Sequence, residues 1–186
     1  MPQLTPEDIR KRFEQSREFN DLFEAFEEAL RLGLRDIELY RLLFWNSALT
    51  PDEVCMFGEK LAAEFPDLSF DVYMWLASVF NVTYAMYDNY DLAFRYYRKA
   101  AAAKPASSDP YLRISECYEP DLNIPPLDAI IHFLKAGAPG LEQPKPVFEK
   151  LAHFYDLRGN DEMSSYFRRR AEESSPPPGP DPLPPQ

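Results

Sequence analysis

The sequence predicts an all-α fold built as a stack of antiparallel helical hairpins. Helix-like stretches rich in Ala and aromatics run into a proline four times, at Pro66, Pro105, Pro139 and Pro176, with spacings of 39, 34 and 37 residues. A period in the mid-thirties is that of stacked helix–turn–helix units. Connections between the stretches are short and made of Asp, Asn, Gly and Pro, as antiparallel neighbours require. No segment alternates apolar and polar residues between hairpin turns, so strands are not expected.

About ten helices follow from the local signals. Thr5-Pro6-Glu7-Asp8 opens the first: a capping hydroxyl, a proline at the first helical position, then acids at the positive end of the dipole. Ile9, Phe13 and Ser16 share its inner face. Asn20 or Asp21 caps the second, where Leu22, Phe23, Phe26, Ala29 and Leu30 recur at three- and four-residue spacing until Gly33 closes it. Asp36 opens a third helix through Trp45, and Thr50-Pro51-Asp52-Glu53 repeats the opening signal for a fourth that ends at Pro66. The remaining pairs run over 69–88 and 90–104, 109–118 and 126–137, 144–158 and 160–174. Residues 1–35 would form an N-terminal cap, 36–175 the repeats and 176–186 a tail. The segment 175–186 holds seven prolines in twelve positions, which predicts an extended, solvated strand of chain. Pro182 and Pro185 have the spacing of a polyproline ligand, but no Lys or Arg flanks them to fix a direction, which favours a passive tail.

The 186 residues suffice for one domain with a sizeable core, and 45% hydrophobic with 15% aromatic content excludes a disordered chain for most of the length. Nothing reads as a membrane span or a signal peptide, and Cys55 and Cys117 have no paired spacing, so a reduced, cytoplasmic setting is expected. The net charge of −11 is uneven: residues 1–90 carry 17 acids and 8 bases, residues 91–186 carry 14 and 12. Such acidity argues against a nucleic-acid partner; it allows a protein or peptide partner with a basic face, and keeping the chain soluble is a sufficient reason for it.

Within residues 74–107 the second helix places Ala93, Tyr97, Ala100 and Pro105 in order, after Trp75, Leu76, Ala77 and Phe80 in the first. This resembles the tetratricopeptide repeat, whose second helix carries small–aromatic–small and a closing proline. The next unit repeats the order with Ile114, Ser115, Tyr118, Ala129, Phe133 and Ala136, across a longer loop. The last matches at Leu151, Ala152, Tyr155, Gly159, Ser164, Ala171 and Pro176, with Phe167 one position early. Residues 36–66 match least, since Gly58 stands where an aromatic is expected. The resemblance covers residues 36–176 and implies a right-handed α-solenoid. Tyr90-Asp91-Leu92-Ala93 and Glu116-Cys117 also resemble short stretches of type III secretion chaperones.

Catalytic signals are missing. His132 and His153 have no metal-like spacing, and there is no phosphate loop or nucleophile elbow, so neither a cofactor nor an enzyme is expected. The resemblance instead implies a concave groove lined by first helices. Its positions here are Met74, Trp75, Ser78, Asn81 and Val82, then Leu112, Arg113, Glu116, Glu149, Lys150, His153 and Asp156, with Tyr40, Arg41 and Phe44 extending it. The carboxylate clamp of some family members is not expected, because only Asn81, Arg113 and Lys150 approach its pattern. The implied role is non-catalytic protein binding as an adaptor, assembly factor or chaperone, or else a permanent place in a larger complex.

Overall fold

A computed structural model describes residues 4–83 and 89–174. Its helices are α1 (Pro6–Gln15), α2 (Phe19–Arg31), α3 (Ile37–Phe44), α4 (Pro51–Glu64), α5 (Ser69–Thr83), α6 (Asn89–Ala103), α7 (Asp109–Glu116), α8 (Leu127–Gly137), α9 (Lys145–Leu157) and α10 (Asp161–Glu173). There is no strand among the described residues. The chain is thus all-α, and consecutive helices pair as antiparallel hairpins.

The start and stop signals act through backbone groups. Thr5 and Thr50 each close a capping box, the hydroxyl taking the N–H of Asp8 or Glu53 while that residue's carboxylate takes the Thr N–H. The hydrogen bonds from Thr5 hold the Asp8 carboxyl below its ordinary value. Gly33 stops α2 in the left-handed region (φ 65°). Its N–H reaches Leu30 O at 2.9 Å while Leu34 N–H reaches Ala29 O at 3.0 Å, the paired closure of a Schellman motif.

Some expectations are corrected. Neither Asn20 nor Asp21 caps α2; the helix begins two to three residues earlier, after Glu18, which makes no side-chain cap bond. Ser16 leaves the inner face to cap the C-terminus of α1, its hydroxyl donating to Asp21 at 3.0 Å. The helix expected to reach Tyr118 stops at Glu116, because residues 119–124 fold into a tight loop closed by Glu119 N–H to Ile124 O at 2.7 Å. Asn123 then accepts the Leu127 N–H and secures the start of α8. Pro139 lies inside a 3₁₀ turn that prolongs α8. The part of the first 69–88 helix beyond Thr83, the Pro176 stop and the 175–186 tail fall outside the described residues.

The stack rests on close approach at small residues. A Cβ on Gly58 would lie 2.4 Å from Leu76 Cδ1, so glycine is what lets α4 meet α5. That position holds glycine rather than the aromatic the repeat pattern calls for, since Phe57 beside it fills the aromatic role, packing edge-on to Phe26 at 4.8 Å. The small and aromatic repeat positions are expected in the core, and Ala93, Tyr97, Ala100 and Phe133 are buried there. Ala136 is not: it is exposed, and Ala129 is half-buried. One residue on, Gly137 supplies the contact, with the Tyr111 ring where a Cβ would sit (2.1 Å).

Two faces result. Even-numbered helices are tied to one another by Glu27–Lys60 (α2–α4), Glu59–Lys99 and Glu59–Arg95 (α4–α6), and Phe94 edge-on to Phe133 at 5.4 Å (α6–α8). Odd-numbered helices form the other side, with α1 against α3, α3 against α5 and α7 against α9.

Candidate functional site

Along the odd-numbered face two hollows share one wall, the half-buried ring of Trp75 on α5. The first, about 390 Å³, lies where α1, α3 and α5 meet. Its other walls are Glu14, Arg17, Arg41, Leu42, Trp45, Asn46 and Ser47. The second, about 440 Å³, lies between α5 and α7. It is walled by Met74, Ser78, Asn81, Val82, Tyr97, Arg113, Glu116 and Cys117.

The first hollow is held from below by Asn46, a buried polar residue just past α3. Its Nδ2 donates to Phe13 O at 2.9 Å and Ser16 O at 3.0 Å, fastening the end of α1, and its Oδ1 accepts the Ala48 N–H at 2.9 Å. Arg17 is fixed by neutral partners, donating to Ser47 Oγ at 2.7 Å and Asn46 Oδ1 at 3.4 Å. Arg41 has its Nε 2.8 Å from Glu38, and its guanidinium carbon lies 5.3 Å from the centre of the Trp75 ring. That cation–π contact orients both groups toward the same opening. Trp45, 39% exposed, completes an apolar wall, so both tryptophans of the chain border this hollow.

The second hollow is apolar at its base and polar at its rim. Ser78 turns its hydroxyl onto Met74 O at 3.0 Å, leaving the methionine and Val82 to face outward. Arg113 and Glu116 pair at 3.4 Å one turn apart on α7. The Cys117 thiol contacts Arg113 O at 3.1 Å, and burial pushes it up to about 11. Burial likewise raises the Tyr97 phenol. These are neutral, inert groups at neutral pH, suited to contact rather than to proton transfer.

Met74, Trp75, Ser78, Asn81, Val82, Arg113 and Glu116 therefore come together as expected, and Arg41 joins them from the far side of Trp75. Tyr40 and Phe44 do not. Both are buried in the core, Tyr40 donating its hydroxyl to Leu34 O at 2.7 Å, because the inner face of α3 is turned one position from the expected register. Lys150 and His153 lie on α9 outside both hollows. Arg17, Trp45, Asn46 and Ser47 line the first hollow without belonging to the repeat pattern. Trp45 next to Asn46, directly after an amphipathic run, was the available signal for a helix end with an outward aromatic.

No family model matches the chain, and no curated protein matches it. Among solved structures it is similar to one described as the crystal structure of MamA, at 16% identity and a TM-score of 0.49. The match covers 92% of this chain and 95% of that one.

Proposed function

We propose that this chain is a non-catalytic protein-binding module, an adaptor, assembly factor or chaperone, that takes a segment of another protein along its odd-numbered helices. The observation that supports it most is Trp75, half-buried between two hollows whose walls mix exposed aromatic and aliphatic surface with arginines at the rim. Tryptophan and arginine set in a water-shielded hollow are the residues that most often dominate binding energy. The acid excess of residues 1–90 favours a partner with a basic face, with charge acting mainly on encounter.

Both tryptophans border the first hollow, so the chain carries its own optical reporter. A partner captured from native extract should shift tryptophan emission on titration. Replacing Trp75 with Ala should weaken binding at least about tenfold, the scale of an interface anchor. Charge reversal at Arg113 should weaken it less, and reversal at Arg98, on the even-numbered face, should leave it unchanged. If Trp75→Ala binds normally while Arg98→Glu does not, the odd-numbered face is not the site and a permanent-subunit role takes its place.

A further inference from the structure

A third hollow, about 360 Å³, lies among the end of α8, α9 and α10 and shares no lining residue with the other two, so what it binds is independent of the function proposed above. Its walls include Pro139, Phe148, Met163, Tyr166, Lys135 and Arg170. Tyr166 is 39% exposed, whereas Phe148 is buried beneath it. The Arg170 guanidinium lies 5.0 Å from the Phe148 ring and 6.0 Å from that of Tyr166, and it donates to the Tyr166 hydroxyl at 3.0 Å. Flat aromatic surface braced by a guanidinium is the kind of wall on which prolines pack. The lining carries two cations and no carboxylate, and Arg170 Nε also pairs at 3.8 Å with Glu173, which lies outside the lining.

We infer that this hollow is the docking site of the chain's own residues 175–186. Three matches select that occupant. The segment offers seven prolines and Leu183 to an aromatic, Met-bordered surface. Its one charged side chain is Asp181, which complements Lys135 and Arg170, and it has no cation to oppose them. It also starts within reach, since α10 ends at Glu173 and Arg170 sits in its last turn. Twelve residues in a polyproline helix span about 37 Å, against about 20 Å for the whole of α10, so the segment can turn back and cover the hollow. Composition alone reads it as a passive tail; the hollow adds the surface it would need.

The test uses the full chain with Cys55 and Cys117 replaced by Ser and a nitroxide on Leu183→Cys. The Met163 methyl signal should lose most of its intensity, equally in dilute and concentrated samples. Tyr166→Ser, at an exposed position that leaves the core intact, should restore it, and Lys135→Glu should restore it in part. Changing the seven prolines to Ser in the unlabelled chain should move the Met163 and Tyr166 signals without moving those of Trp75. Full methyl intensity in the labelled chain overturns the inference. So does a loss that disappears on dilution, which would assign the contact to a second copy.

Discussion

Gly58 offers a quantitative test of how closely α4 and α5 approach. A Cβ there would stand 2.4, 2.8 and 2.9 Å from Leu76 Cδ1, Cδ2 and Cγ. Leu76 is fully buried, so its side chain cannot swing into solvent. Gly58→Ala gains about 1 kcal/mol of helix propensity. Overpacking costs about 1–3 kcal/mol, and overlap with three atoms of one locked side chain belongs at the upper end. The net is a loss of about 1–2 kcal/mol, or roughly 2–8 °C in Tm for a chain of this size. Leu76→Ala alone should cost about 2–5 kcal/mol through the cavity it leaves. In that background the alanine at 58 meets empty space, so Gly58→Ala should become stabilising by about 1 kcal/mol. The sign reversal is the informative quantity, because propensity is the same in both backgrounds and cancels. Urea and thermal melts followed by circular dichroism on the four proteins give the coupling, expected at about 2–3 kcal/mol. If Gly58→Ala stabilises both backgrounds equally, the two helices do not meet at this point and the described packing is wrong.

Two further outcomes follow from named contacts. Asn46→Ala should destabilise by about 3 kcal/mol, because Phe13 O, Ser16 O and the Ala48 N–H lose their buried partner together; a melt within error of the parent would contradict it. Burial lifts the Cys117 thiol from 9.0 to about 11, so the unfolded chain ionises first. Its stabilising contribution is whole below about pH 9 and fades as pH rises toward about 11. Alkylation of Cys117 at pH 8, followed by peptide mass spectrometry, should run about 100-fold slower in the folded chain than in urea, and equal rates would refute it.

The helices were legible because their signals are local. A hydroxyl followed by Pro and an acid three residues on fixes a capping box wherever it occurs, which is why Thr5 and Thr50 read correctly. The α2 start was not, because Glu18 caps it through backbone position alone and leaves no side-chain signature. The odd-numbered face could be read on α5 and α7, where Trp75-Leu76-Ala77 sets the register. On α3 apolar residues occupy nearly every position from Ile37 to Phe44, so periodicity cannot say which are inside. Tyr40 and Phe44 were misplaced for that reason. Asn46 and Arg17 escaped because their roles depend on contacts about thirty residues away in sequence.

Asn46 also joins two properties usually considered apart. The same side chain that fastens the end of α1 holds Arg17, so the wall of the first hollow and the seam of the N-terminal hairpin are one piece. Should α1 and α2 peel away, as terminal units of a stack do first, Glu14 and Arg17 leave with them and the first hollow loses one of its walls while α4–α10 stay folded. Occupancy of that hollow would in turn oppose the peeling. Local opening at the chain's beginning and affinity at its middle are then two readings of a single equilibrium, and a change in temperature or a mutation in α1 would reach the partner without touching it.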